Sequence, residues 1–153
     1  MNGTSSMTKV TSIALAQLNS HLGNIGSNVA RLLDARRDAA AVGADIVVTP
    51  EMYLSGYPCD DLVLRSDFMD EVAAGLAHLA TATSDSGPAI IVGAPHAEGG
   101  VVTNSVFVLD EGRIGTPQNH HMARMFSIQE AHRTKQEAEV KTEESASRYV
   151  YRA

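Results

Sequence analysis

Cysteine occurs once in 153 residues, at position 59. A single thiol closes no internal disulfide, which fits a reducing compartment, and a cytoplasmic protein is expected. No run of about 18 or more apolar residues is present, so no membrane-spanning helix is expected. The start, MNGTSSMTKV, lacks the basic-then-apolar order of a secretory signal, and residues 1–9 read as a flexible leader. Lysine is absent between Lys9 and Lys135, and the formal charge is -6. Without a positive footprint, a nucleic-acid partner is not expected. Glycine and proline are missing from Gln118 to Ala153, although the chain holds 12 and 5 of them.

That last absence divides the chain. Residues 1–116 carry 6 basic and 13 acidic side chains, whereas residues 117–153 carry 6 and 5. Overall, 44% hydrophobic and 20% charged residues place the chain with globular proteins, and the length suits one domain.

Residues 10–116 alternate strand and helix signals. TSIALAQL (11–18) reads as a buried strand, and GNIGSN (23–28) as a turn ending in helix-capping residues. Ile25, Val29, Leu32 and Leu33 then share one helical face until Gly43 stops it. DIVVT (45–49) is a short β-branched strand. Ser66 opens a second helix with Asp67, Asp70 and Glu71 near its start. The buried stripe of that helix is Phe68, Val72, Leu76, Leu79 and Ala80. AIIVGAP (89–95), VTNSVFVL (102–109) and RIGT (113–116) read as strands, joined by turns at EGG (98–100) and 110–112. This order implies parallel neighbours followed by an antiparallel hairpin. The 117–153 tail reads as polar and either helical or disordered, with Glu137–Lys141 and Glu144–Arg148 as mild helix-favouring pairs. Met122, Met125 and Phe126 are candidates to cover apolar surface.

Glu51 follows Pro50 at the end of the 45–49 strand, where sites gather in open α/β sheets. Position leaves two readings open: a partly desolvated general base, or a loop carboxylate that caps a backbone amide. Cys59 is a poor nucleophile on electrostatic grounds, because Asp60 and Asp61 oppose a thiolate beside them. Tyr53 and Tyr57 flank Glu51; Tyr57 is the candidate substrate contact, and packing is the alternative for both. His21, and His120, His121 and His132, lack convergent ligand spacing and read as solvated, so no metal site is expected. GNIG lacks the remainder of any phosphate-loop fingerprint and reads as a turn.

IALAQLNSHLGNIGSN, ADIVVTPEMYLSGYPCDDLVLR and GPAIIVGAP together resemble the amino-terminal part of a carbon–nitrogen hydrolase (nitrilase superfamily) domain. The run LSGYP.DDLVLR is similar to the glutaminase domain of glutamine-dependent NAD synthetase. The resemblance covers about residues 10–114. It implies part of an αββα sandwich, of about five strands and two helices, with residues 13–18, 45–49 and 89–94 as core and marginal stability. It also implies a glutamate, a lysine and a cysteine that hydrolyse the side-chain amide of glutamine. Glu51 matches the glutamate as general base. Asn119, give or take one position, stands where the lysine belongs, and Cys59 does not match the nucleophile. The lysine and cysteine partners are therefore expected to be absent, with residues 117–153 a non-family tail that a disrupted reading frame would explain. No cofactor is expected; ATP would belong to a synthetase domain. Three readings follow: a glutaminase fragment of little activity, a non-catalytic partner in a homo-oligomer or with an intact relative, and a degraded gene product.

Overall fold

Ala14, Val47, Ile90 and Leu109 form one row across four adjacent strands, and the first two helices pack over it. In the computed structural model, which describes residues 10–127 and side chains as far as Gln118, the strands are β1 (Ile13–Leu15), β2 (Ile46–Val48), β3 (Ala89–Glu98), β4 (Val101–Asp110), β5 (Arg113–Ile114) and β6 (Gln118–Ser127). The helices are α1 (Ile25–Ala41) and α2 (Ser66–Ala82). The sheet order is β1-β2-β3-β4-β5, with β6 also paired to β4. The first three strands are parallel, and β4 and its partners are antiparallel, as the element order requires.

Helix positions follow the 3.6-residue stripe. Ile25, Val29 and Leu32 on α1, and Phe68, Val72, Leu76, Leu79 and Ala80 on α2, are buried. Each of these side chains except that of Ala80 contributes about 1.5–3 kcal/mol relative to exposure. Gly43 takes φ 77° just past α1, a backbone that a Cβ would strain.

The α/β architecture agrees with the sequence reading; three details differ. Asn24, not a residue at 27 or 28, caps α1 by accepting from the Ser27 amide at 3.0 Å, so Asn28 lies inside the helix. The 11–18 strand shortens to three residues at the sheet edge, where Ile13 and Leu15 are exposed, so β1 adds less to the core than expected. Residues 118–127 form a strand rather than a helix, because β4 offers a free backbone edge that pairs whatever the side chains. The 1–9 leader, the side chains of His120, His121, Met122, Met125 and Phe126, and everything from residue 128, including His132 and the two tail ion pairs, lie outside the described residues.

Side chains alternate across the sheet. The row Leu15, Val48, Ile91, Val108 faces away from the buried one. Leu15 and Val108 on it are exposed, as are Ile13 and Val106 on the same face. The 50–52 segment crosses this face at Gly93, while Ile13, Leu15, Val106 and Val108 stay exposed. No helix among the described residues is long and apolar enough to cross a membrane.

Candidate active site

The β-branched run of β2 ends at Val48, and the chain then crosses toward β4 over Gly93 of β3. A Cβ at Gly93 would lie 2.6 Å from the Met52 nitrogen and 3.1 Å from the Pro50 oxygen, so only glycine admits the crossing. The Thr49 amide donates to the Ile91 carbonyl at 3.0 Å, and the Leu54 amide to the Gly93 carbonyl at 3.1 Å. These bonds fasten both sides of Glu51 to β3.

The following turn is tight. Met52 is fully buried with φ 51°, a left-handed backbone that costs about 1–2 kcal/mol in a non-glycine residue. Its carbonyl accepts from the Gly56 amide at 3.0 Å and from the Ser55 hydroxyl at 3.1 Å. Asn28 supports the turn from α1: its Nδ2 donates to the Leu54 and His21 carbonyls, and its Oδ1 accepts from the His21 amide. The buried Tyr53 hydroxyl donates to the Asn28 carbonyl at 3.0 Å, which assigns Tyr53 to packing.

Glu51 stands on this platform with its side chain turned toward β4, where the Asn104 side-chain amide donates to Oε1. Glu51 is exposed, not partly desolvated, because the helix-free face of the sheet is open. Asn104 is buried and pairs with Pro95 of β3. Asn119 pairs through its backbone with Ser105, the residue after Asn104. The position that the resemblance gives to a lysine therefore lies on β6, in register with Ser105 rather than with Asn104.

Cys59 is buried, and burial is the main reason its thiol is pushed up from the ordinary value; Asp60 adds to the effect, while a Ser55 bond opposes it. The expected electrostatic cause is thus secondary to desolvation. Tyr57, the candidate substrate contact, is 66% exposed and has no described contact with Glu51. His21 bonds to the Ser27 hydroxyl. Among the described residues no cluster of three His, Cys, Asp or Glu side chains forms, and no lysine is present. Asn104 escaped the sequence reading; its one signal was an amide inside an apolar strand.

The carbon–nitrogen hydrolase family model matches residues 12–150. The chain belongs to that family. The match runs past residue 117, so the change in composition there is not a boundary of the family match. Among curated carbon–nitrogen hydrolase relatives, the chain is 38% identical over 117 residues to a glutamine-dependent NAD(+) synthetase of Rhodobacter capsulatus, covering 76% of this chain and 21% of that protein. It is 42% identical over 105 residues to the one of Xanthomonas campestris pv. campestris, covering 67% and 18%. The chain thus spans about a fifth of the length of these relatives. Among solved structures, the glutamine-dependent NAD+ synthetase of Acinetobacter baumannii superposes with a TM-score of 0.66 at 30% identity, over 71% of this chain and 20% of that one. An amidase from Nesterenkonia sp. shares the fold, with a TM-score of 0.62 at 21% identity over 76% and 46%.

Proposed function

We propose that these residues carry the general base of a site that hydrolyses the side-chain amide of glutamine, as the glutaminase portion of an NAD synthetase-like protein would. The carrying observation is the Glu51 carboxylate, pinned by Asn104 across β3. In this reading Glu51 takes the proton from an attacking thiol and returns it to the departing nitrogen, so that ammonia leaves and water resolves the thioester.

The 153-residue chain alone does not complete this cycle. Its one cysteine is buried with a raised pKa, and residues 10–127 hold no ammonium to face the oxyanion. Loss of a nucleophile costs on the order of 10⁴- to 10⁶-fold in rate. We further propose that ATP takes no part at this site and that the protein is cytoplasmic.

Ammonia release from glutamine is the direct test, with Glu51→Gln and Cys59→Ala beside the native chain. Background rates in all three are expected. Turnover abolished by Cys59→Ala would overturn the assignment of that thiol as structural; turnover abolished only by Glu51→Gln would overturn inactivity. Glutamine titrated into ¹⁵N-labelled chain is expected to move the Asn104 side-chain resonance, and no movement at saturation sinks the substrate assignment.

A second reading rests on the open apolar face, with Leu15 at 71% and Ile13 at 56% exposure. It makes the chain a non-catalytic partner of a second copy or of an intact relative. Size exclusion with and without such a relative tests it, and separate elution removes it.

A further inference from the structure

We propose that Asn104 is the positioning residue of this site: its side-chain amide occupies Oε1 of Glu51 and leaves Oε2 as the oxygen that exchanges protons with substrate. This rests on the amidase reading of Glu51. Three observations and one chemical argument carry it.

The first is burial. Asn104 is 6% exposed within a strand whose neighbours Val102 and Phe107 are core residues. A primary amide placed there is costly unless it has a partner, and a carboxylate oxygen is a strong one. The second is rigidity. β3 and β4 pair without a break from Ile90–Leu109 to Glu98–Val101, so the amide sits on continuous ladder. Glu51 sits on a connecting segment and is exposed. The ordered member therefore restrains the free one, and the restraint removes rotamer freedom that an exposed glutamate otherwise keeps.

The third is access. The Pro50–Met52 backbone passes over Gly93 at a distance that any side chain would forbid. That close approach is what brings Glu51 from β2 across β3 to a residue 53 positions later in the chain. The fourth is chemistry. An arginine or lysine at 104 would hold the same oxygen but would add a full charge and bind the proton-free form too strongly for proton return. A neutral amide orients the carboxylate and perturbs its charge less. A base that must both accept and release a proton needs that balance. Fixing the carboxylate also limits the misplacement that proton transfer in a near-attack geometry punishes.

The test is spectroscopic and needs no turnover. In ¹⁵N-labelled full-length chain with ¹³C-labelled glutamate carboxyls, Asn104→Ala and Glu51→Ala identify the two resonances. Three results are expected. The Asn104 amide proton lies downfield of free side-chain amides. It returns to the free position in Glu51→Ala and stays shifted in Glu51→Gln, whose carbonyl still accepts. During acidification of the native chain, it moves in step with the Glu51 carboxyl carbon. An Asn104 resonance that ignores both Glu51→Ala and the protonation of Glu51 overturns the proposal. If Glu51→Ala fails to fold, the acid titration of the native chain decides alone. Absent glutamine response with this coupling intact would sink the amidase reading and leave the positioning standing, so the two failures are distinguishable.

Discussion

Arg36, buried on α1, grips Asp85 just beyond α2 through two parallel bonds, Nη2 to Oδ1 at 2.6 Å and Nη1 to Oδ2 at 3.0 Å. Its Nε donates to the buried Pro88 carbonyl at 2.7 Å. Gly87 leaves the room, since a Cβ there would lie 2.8 Å from Nη2. One guanidinium thus ties α1 to the turn that feeds β3. Arg36→Met keeps the apolar stem but orphans the Pro88 carbonyl, and a loss of about 1–3 kcal/mol is expected in urea unfolding at neutral pH.

The same pair makes stability depend on acid. The Arg36 bond, followed by the Gly87 amide, holds the Asp85 carboxyl well below the usual carboxylate range. A carboxyl with a depressed folded pKa stabilises fully above its unfolded value of 3.8, and that contribution fades as pH falls from there through the lower folded value. Asp85 is exposed, so solvent screens the pair and the effect is modest. Urea midpoints measured from pH 6 down to pH 3 are expected to fall less steeply in Asp85→Asn than in the native chain. Parallel curves would mean that other carboxyls govern acid unfolding.

Asn28 closes three backbone groups at once: the His21 amide at 2.8 Å, the His21 carbonyl at 2.8 Å and the Leu54 carbonyl at 2.9 Å. Asn28→Leu fills the volume but leaves these groups unsatisfied, and a cost of about 3 kcal/mol is expected by thermal or urea unfolding. Asn28→Asp retains the acceptor and loses both donations, so it is expected to be nearly as damaging. A loss below about 1 kcal/mol in Asn28→Leu would show that the 50–56 turn holds itself without α1.

What the sequence made legible was whatever a short window decides. The stripes on α1 and α2 follow from spacing, and every residue of the α2 stripe is buried. β3 and β4 follow from their β-branched runs. Asn28 was misread because Asn24, Ser27 and Asn28 are all capping residue types, and only contacts with His21 and Leu54 choose among them. β6 was invisible because its sequence is polar and its pairing is supplied by β4. Glu51 could be located through its motif, but its partner could not: Asn104 becomes meaningful only once Gly93 lets one segment cross another. The apolar residues of the open face carried no mark to separate them from core, because alternation shows two faces and not which one is covered.

Gly93 and Gly26 make a matched comparison. At Gly93 a Cβ would meet backbone atoms of Pro50, Glu51 and Met52, which cannot move without breaking the Leu54–Gly93 bond. Gly93→Ala is therefore expected to cost more than about 2 kcal/mol and to abolish the coupling between Asn104 and Glu51 resonances. At Gly26, in the first turn of α1, nothing lies within 4 Å of the added carbon. Gly26→Ala is expected to stabilise by about 0.5 kcal/mol through lost unfolded-state freedom. Equal effects from the two, measured by the same unfolding curves, would refute the crossing constraint.

Cys59 gives a clean test of the turn as a closed unit. Its side chain is 1% exposed, and burial pushes the thiol above its ordinary range, so both access and thiolate supply are low. Alkylation of native chain by iodoacetamide at pH 7.5 is expected to be at least about 10²-fold slower than in urea, because reaction must wait for opening of the 52–63 region. The native rate is also expected to rise when Asn28 is replaced by Leu, since α1 then no longer braces Leu54. A native rate equal to the unfolded one would place the sulfur at the surface and reopen its candidacy as a nucleophile, because concealment suppresses the thiolate more than the neighbouring Asp60 does.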